Sequence, residues 1–181
     1  MRIDRRTAFR RLALISVGTA LLPSCMGDHS KAAVVLKNFA VDRDQERLLE
    51  ELAATLIPSG TTPGAREVSA HLFALKMLDD CASTADQQQF LRGLQRFDDA
   101  GRTLPGGSFV KADPPARGSL LTSIENGKLA DKDLKFCYST TKKLTILAYS
   151  SSQYYLTRVR VYELVPGRFH GCVPVKAGPA S

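Results

Sequence analysis

Beyond the first 42 residues, the cysteine and histidine side chains that could pair as nucleophile and base are Cys81, Cys137, Cys172, His71 and His170. A cysteine nucleophile needs a positioned base and an oxyanion site. His71 falls within a predicted helix and His170 lies beside Cys172 in an irregular tail, and no motif supplies the missing groups. The cysteines also lack metal-ligand spacing. The sequence therefore predicts no catalytic residue and no metal site.

Motifs for cofactor chemistry are absent as well. The sequence has no GxGxxG for a dinucleotide and no CxxCH for a covalently attached haem. It also has no P-loop, no HExxH and no GxSxG. We therefore expect this chain to hold no cofactor of its own.

The same cysteines have a structural use if the protein is exported. In an oxidising compartment an odd number of cysteines suggests one internal bridge and one thiol left over. Cys81 ends a predicted helix and Cys172 lies on the tail, so a bridge between them would tie the tail to the helices. The alternatives to this internal bridge are that all three thiols are unpaired or that one of them forms a bridge to another subunit. Cys137, in the middle of a predicted helix, fits a small core residue.

The first 24 residues have the three zones of a secretory signal peptide. After an arginine-rich start comes the apolar stretch Leu12–Leu22, whose 11 residues are too few to span a membrane. The pair Arg5 and Arg6, preceded by Asp4 and followed by Phe9, resembles a twin-arginine signal. Twin-arginine export carries folded proteins, so we expect a passenger that folds before it crosses the membrane.

Cys25 ends the sequence Leu-Pro-Ser-Cys, which resembles a lipobox. Cleavage there would make Cys25 the lipidated first residue, whose acyl chains hold the protein at a membrane. The alternative is an ordinary cleavage site next to a cysteine. We expect a signal peptide over residues 1–24, a tether over 25–42 and a periplasmic, membrane-anchored lipoprotein.

The formal net charge of +7 overstates the charge of the exported domain. Without residues 1–24, 20 basic and 17 acidic side chains remain, a net charge of +3. No basic stripe with interleaved aromatic residues accompanies this charge. The composition therefore does not indicate a nucleic-acid partner.

Apolar side chains at helical spacing predict five helices in one all-α domain over residues 43–181. The predicted helices begin at Asp42, at Thr62–Ala65 with Pro63 in the first helical position, at Ser83 or Thr84, at about 115 and at about 131. The fifth is predicted to run to about 155 and is apolar over much of Leu144–Tyr149, which favours a central position. An extended arm is predicted from about 157, where Val159 and Val161 alternate with arginines.

Tyrosine is concentrated late in the chain, at Tyr138, Tyr149, Tyr154, Tyr155 and Tyr162. A tyrosine ring is apolar and its tip is polar, which suits an interface, although core packing also explains the cluster. A set of basic residues accompanies it, Lys142, Lys143, Arg158, Arg160 and Arg168. These are either a solvated surface or a docking face for an acidic partner or lipid headgroups. The candidate interface residues are Tyr149, Tyr154, Tyr155, Tyr162 and Arg168.

Several segments in this order resemble one known family. They are the arginine-rich signal, Leu56-Ile57-Pro58, Thr62-Pro63-Gly64-Ala65, Lys76 to Cys81, Asp86 to Leu94, Lys143-Leu144-Thr145 with Tyr149, Val165 to Phe169 and Gly171 to Pro174. The sequence is similar to the gluconate 2-dehydrogenase subunit 3 family, the small subunits of periplasmic FAD-dependent sugar dehydrogenases. The similarity covers nearly the whole chain.

The resemblance implies a non-catalytic accessory subunit that binds a large flavoprotein of the glucose–methanol–choline type. It implies that the small subunit carries the export signal for the folded complex, and that electrons pass from FAD in the large subunit to a haem-bearing cytochrome c subunit. A cysteine that bonds the catalytic subunit is implied for some members. The alternative function is a free-standing lipid-anchored periplasmic module that binds a sugar or an envelope component.

Overall fold

The computed structural model describes residues 32, 34–160 and 172. Within these residues the chain forms five α-helices and one π-helical turn, and no β-strand. The helices are α1 (Arg43–Leu56), α2 (Ala70–Cys81), α3 (Thr84–Gly101), α4 (Pro114–Glu125) and α5 (Lys132–Ser150), and the π-helical turn is Tyr155–Val159. The all-α prediction is confirmed.

Most helix starts follow from local capping chemistry. The Asp42 side chain accepts a hydrogen bond from the Gln45 N–H, and the Gln45 side chain accepts one from the Asp42 N–H, which closes a capping box on α1. The N-cap side chains of α3, α4 and α5 each accept a hydrogen bond from one backbone N–H of the first turn, and these capping residues are Ser83, Asp113 and Asp131 respectively. Pro114 occupies the first turn of α4, where a missing N–H is harmless.

The predicted start of α2 at Thr62–Ala65 is wrong, because the helix begins at Ala70. Ser69 has a φ of 52°, in the left-handed region, and no regular helix can pass through it. Upstream, the Ala65 N–H donates to the Ile57 carbonyl and folds this stretch back onto the end of α1. A Cβ on Gly64 would lie 2.6 Å from the Ile57 carbonyl oxygen, so only glycine permits this approach.

Two further boundaries differ from the predicted ones. α5 ends at Ser150 rather than at about 155. The stretch Tyr155–Val159, whose last residues were predicted as extended arm, is a π-helical turn, so the arm prediction is wrong there. No residue of the turn is buried, so the alternation of valine and arginine there does not mark one buried and one exposed face of a strand. The rest of the arm, except Cys172, lies outside the described residues.

Residues 34–41, predicted as part of a tether, pack against the domain. Phe39 is buried in the main core, and Val34, Leu36 and Val41 pack against it. The backbone N–H groups of Lys37 and Asn38 both donate to the buried Asp79 carboxylate of α2. The packed domain therefore includes residues 34–41, which precede the predicted start at residue 43.

The core has two parts, and α5 contacts both. Aromatic and leucine side chains from all five helices form the larger part, which includes Leu49, Leu75, Phe90, Phe97, Phe109 and Ile124. The smaller part contains only alanines among its buried members, Ala53, Ala65, Ala70 and Ala148. α5 contacts each of the other four helices. The central position predicted for this helix is confirmed.

Candidate partner interface

α5 is placed by a close contact with α3. A Cβ on Gly93 of α3 would lie 2.1 Å from the Asp133 carbonyl oxygen and 2.6 Å from the Cys137 Cβ. The glycine therefore lets the two helix backbones approach closely. Cys137 is fully buried there, and burial raises the pKa of its thiol to about 12. It is the small core residue that the sequence indicated.

Of the predicted interface residues, Tyr149, Tyr154 and Tyr155 lie together at the C-terminal end of α5 and just beyond it, each half-buried. The Tyr149 hydroxyl donates to the Pro63 carbonyl at 3.0 Å, and its ring packs edge-on against Tyr155 with 6.0 Å between centroids. Tyr149 therefore fastens the end of α5 to the loop between α1 and α2. Tyr162 and Arg168 lie outside the described residues.

The same end of α5 exposes aliphatic side chains of the apolar stretch Leu144–Tyr149, from which the central position of the helix was predicted. Ile146 and Leu147 are 51% and 43% exposed, and Val159 of the adjoining π-helical turn is 55% exposed. Arg158 and Arg160 are exposed beside Val159. We call Ile146, Leu147, Val159, Arg158 and Arg160 the C-terminal surface of α5. Ile146 and Leu147 are neighbours in sequence, and adjacent exposed aliphatic groups are typical of surfaces that bind another molecule.

An open groove of about 510 Å³ runs between the end of α4 and the middle of α5. Its lining includes Ile124, Glu125, Lys135, Tyr138, Lys143 and Ile146. Ile146 thus belongs both to this groove and to the C-terminal surface of α5. The two features form one continuous region.

The charges along this groove are partly paired. The Glu125 carboxylate accepts a hydrogen bond from the Tyr138 hydroxyl at 2.6 Å and one from the Lys142 ammonium group. The hydrogen bond from Lys142, and to a smaller extent the one from Tyr138, holds the pKa of Glu125 below its ordinary value. Burial, and then the Glu125 carboxylate, raises the pKa of Tyr138. Glu125 is therefore already neutralised from within the chain.

The described cysteines are free thiols in this structure. Cys81 is exposed at the end of α2, where it lines a second, smaller groove with Met77 and Leu144 of α5. Cys172 is also exposed. No bond joins them here, and the Cys81–Cys172 bridge stays a prediction. The predicted signal residues Arg5 and Arg6 and the lipidation residue Cys25 lie outside the described residues.

Sequence reasoning missed two polar clusters that hold the helices together, one buried and one partly exposed. Asp79 accepts the N–H groups of Lys37 and Asn38 and the Lys76 ammonium group, at 2.7–3.2 Å. Burial opposes ionisation of Asp79, but these donors outweigh it and hold its pKa below the ordinary value.

In the second cluster, the Glu51 carboxylate pairs with Arg66 and Arg117, each at 2.5 Å. Glu51 lies on α1, Arg66 in the loop before α2, and Arg117 on α4. The Arg117 guanidinium also donates to the Val110 carbonyl at 2.6 Å and lies over the Phe109 ring. The cluster therefore joins three parts of the fold through one carboxylate.

His71 is buried at the start of α2, and burial lowers its pKa. In the described part of the chain, no three His, Cys, Asp or Glu side chains are grouped so that they could hold a metal ion. The same residues include no helix with the length and apolar character needed to cross a membrane.

Comparison with known proteins gives one match. The family model described as gluconate 2-dehydrogenase subunit 3 matches residues 43–167, more than half of the chain. No curated protein and no solved structure matches the chain. The matched segment includes all five helices, the groove and the C-terminal surface of α5. The chain belongs to the gluconate 2-dehydrogenase subunit 3 family.

Proposed function

We propose that this protein is a non-catalytic accessory subunit of a membrane-associated, periplasmic sugar or polyol dehydrogenase. Its catalytic partner would be a flavoprotein of the glucose–methanol–choline type that binds FAD, with a haem-bearing cytochrome c subunit as electron acceptor. The family name, which is that of a dehydrogenase subunit, supports this assignment.

The observation that carries the proposal is the exposed aliphatic surface at the end of the central helix. Ile146, Leu147 and Val159 leave apolar area in water that a partner could cover. Burying apolar area contributes about 25 cal/mol per Å². The surface lies on α5, the helix that contacts each of the other four, so a partner bound there would contact the element that connects the whole domain.

The sequence supports roles in export and anchoring. Arg5 and Arg6 would direct the folded complex through the twin-arginine route, and lipidated Cys25 would hold it at the membrane. Two variants test these roles. Arg5→Lys with Arg6→Lys is expected to retain both the chain and its flavoprotein in the cytoplasm. Cys25→Ser is expected to abolish acyl labelling of the chain; export of the flavoprotein in the first variant would contradict the proposed export role.

The alternative, a lipid-anchored module that binds a sugar, would use the groove between α4 and α5. Its volume of about 510 Å³ lies within the usual range for small ligands. The accessible surface of the groove is mostly apolar, however, and a sugar needs several free hydrogen-bonding groups. The groove therefore favours an amphipathic partner over a sugar.

The experiment that tests the proposal is purification of the tagged chain from membranes of its native host, followed by an absorbance spectrum. We expect a larger chain to co-purify with a flavin band near about 450 nm, the absorbance of an oxidised flavin cofactor. Recovery of a colourless single chain, from cells that express the neighbouring genes, would contradict the accessory-subunit proposal and favour the sugar-binding alternative.

A further inference from the structure

We propose that the groove between α4 and α5 binds an acidic, amphipathic helix of the catalytic flavoprotein. This inference rests on the proposed function and adds where, and by what chemistry, the partner is recognised. The groove is defined by the lining residues Ile124, Glu125, Lys135, Tyr138, Lys143 and Ile146.

The apolar part of the groove is fixed before any partner arrives. Ile124 is fully buried and Tyr138 nearly so, and the Tyr138 hydroxyl is held by Glu125. The Lys142 ammonium group lies 5.9 Å from the centre of the Tyr138 ring and also bonds Glu125. Ile146 at the end of the groove is half exposed. Ile124 and Tyr138 therefore form a rigid base beneath the groove, and Ile146 is the exposed aliphatic group that a partner side chain would contact. A base that is ordered in advance lowers the entropy lost on binding.

The charged rim is unbalanced. Glu125 is the groove's carboxylate, and Lys142 already neutralises it. Among the described residues, Lys135 and Lys143 form no ion pair. Two lysines without partners beside an apolar surface complement a ligand with carboxylates beside an apolar side chain.

The spacing of these lysines defines the ligand further. They are eight residues apart on α5, a rise of about 12 Å along the helix axis. Two carboxylates seven or eight residues apart on a partner helix have nearly the same separation. An apolar residue midway between them would lie over Tyr138 and Ser139, and one beyond the carboxylate that meets Lys143 would reach Ile146, in the manner of a helix bound in a groove.

Two other occupants fit less well. The chain's own residues 161–181 contain one acidic and two basic side chains, so they do not complement the lysines. An anionic membrane would complement them, but a bilayer surface cannot enter a concave groove between two helices. Charge therefore argues against residues 161–181 as the occupant, and shape argues against a membrane.

The test compares two charge-reversed chains of equal net charge, each purified from native membranes with flavin absorbance as the readout. Lys135→Glu with Lys143→Glu reverses the unpaired lysines of the groove. Arg47→Glu with Lys111→Glu reverses two exposed basic residues that do not line it. We expect the groove variant to recover roughly tenfold less flavin per chain than wild type, since reversing rim charges slows association and creates repulsion. The control variant should match wild type.

A photo-cross-linking residue at Ser139, which lines the groove, identifies the occupant, with the exposed Gln88 of α3 as the control position. We expect Ser139 to capture a flavoprotein peptide that carries carboxylates. Capture of residues 161–181 or of lipid, or undiminished flavin recovery by the groove variant, would overturn the inference while leaving the accessory-subunit proposal intact. Failure of the wild-type chain to bring down any flavoprotein would instead contradict the proposed function itself.

Discussion

The two halves of α5 are packed in different ways. In the first half, Leu134, Cys137 and Tyr138 are buried, and Gly93 brings α3 into backbone contact. In the second half, Ala148 meets three other alanines on the inner side, while Ile146 and Leu147 are exposed on the outer side. The first half is therefore shaped for stability, and the second leaves apolar area available for a partner.

This contrast shows that a central helix need not be buried along its whole length. Alanine side chains bury little apolar area. The inner contacts of the second half therefore contribute less to the free energy of unfolding than the aromatic and leucine contacts of the first half. The end of the helix is held instead by the hydrogen bond from Tyr149 to Pro63. Changes to the buried side chains of the first half and to the exposed aliphatic side chains of the second should then separate stability from binding.

The largest expected effect comes from crowding the first half. Gly93→Ala places a Cβ against the Asp133 carbonyl and the Cys137 side chain, and should lower the free energy of unfolding by about 3 kcal/mol. Urea denaturation measures this. The matched control is Gly118→Ala on α4, where a Cβ meets nothing within 4 Å and should raise stability by about 0.5 kcal/mol. Equal effects of the two changes would contradict the close packing of α3 and α5.

A smaller effect is expected from the segment that precedes α1. Asp79→Ala leaves the N–H groups of Lys37 and Asn38 without their acceptor and should lower Tm by roughly 5 °C. Amide exchange over residues 34–41 should accelerate with it. The neighbouring Asp80 is exposed and pairs only at 3.6 Å with Lys76, so Asp80→Ala should change neither measurement. Slow exchange in the Asp79 variant would show that Phe39 alone holds the segment.

The smallest effect concerns pH. His71 has its pKa lowered by burial, so the unfolded chain binds a proton more readily than the folded chain does. Stability should therefore fall as the pH drops below the unfolded value of about 6.5, and this loss should stop below the folded pKa. His71→Gln should reduce the fall in Tm between pH 7.5 and pH 5, measured against wild type in parallel. An unchanged slope would show that His71 does not contribute.

The predictable parts of the fold were those that depend on nearby residues. Asp42 and Ser83 cap their helices through contacts three residues away, and the sequence shows them directly. The start of α2 was not predictable. The left-handed turn at Ser69 follows a chain segment in which Gly64 packs directly against the backbone of Ile57, and local patterns do not show that contact. Asp79 was missed for a similar reason, since its N–H donors lie about 40 residues earlier in the chain.

The candidate interface was only partly predictable. The tyrosine cluster pointed to the end of α5 where Ile146 and Leu147 are exposed, but the apolar stretch Leu144–Tyr149 predicted only a central position for the helix and not this exposed side. Apolar composition gives no information on which side of a helix remains uncovered when its neighbours are as small as Ala53, Ala65 and Ala70. The groove depends on the relative placement of α4 and α5, and local pattern does not report that placement.

The most direct test of the contrast between the two halves is the variant Ile146→Ser with Leu147→Ser, purified from native membranes beside Val35→Ser. Val35 is also an exposed aliphatic residue, but it lies on the segment before α1. We expect the double variant to keep Tm within about 2 °C of wild type, because exposed side chains contribute little to stability, while most of the co-purified flavin is lost. The Val35→Ser variant should retain the co-purified flavin. Full flavin recovery by the double variant would contradict the assignment of the second half of α5 to partner binding.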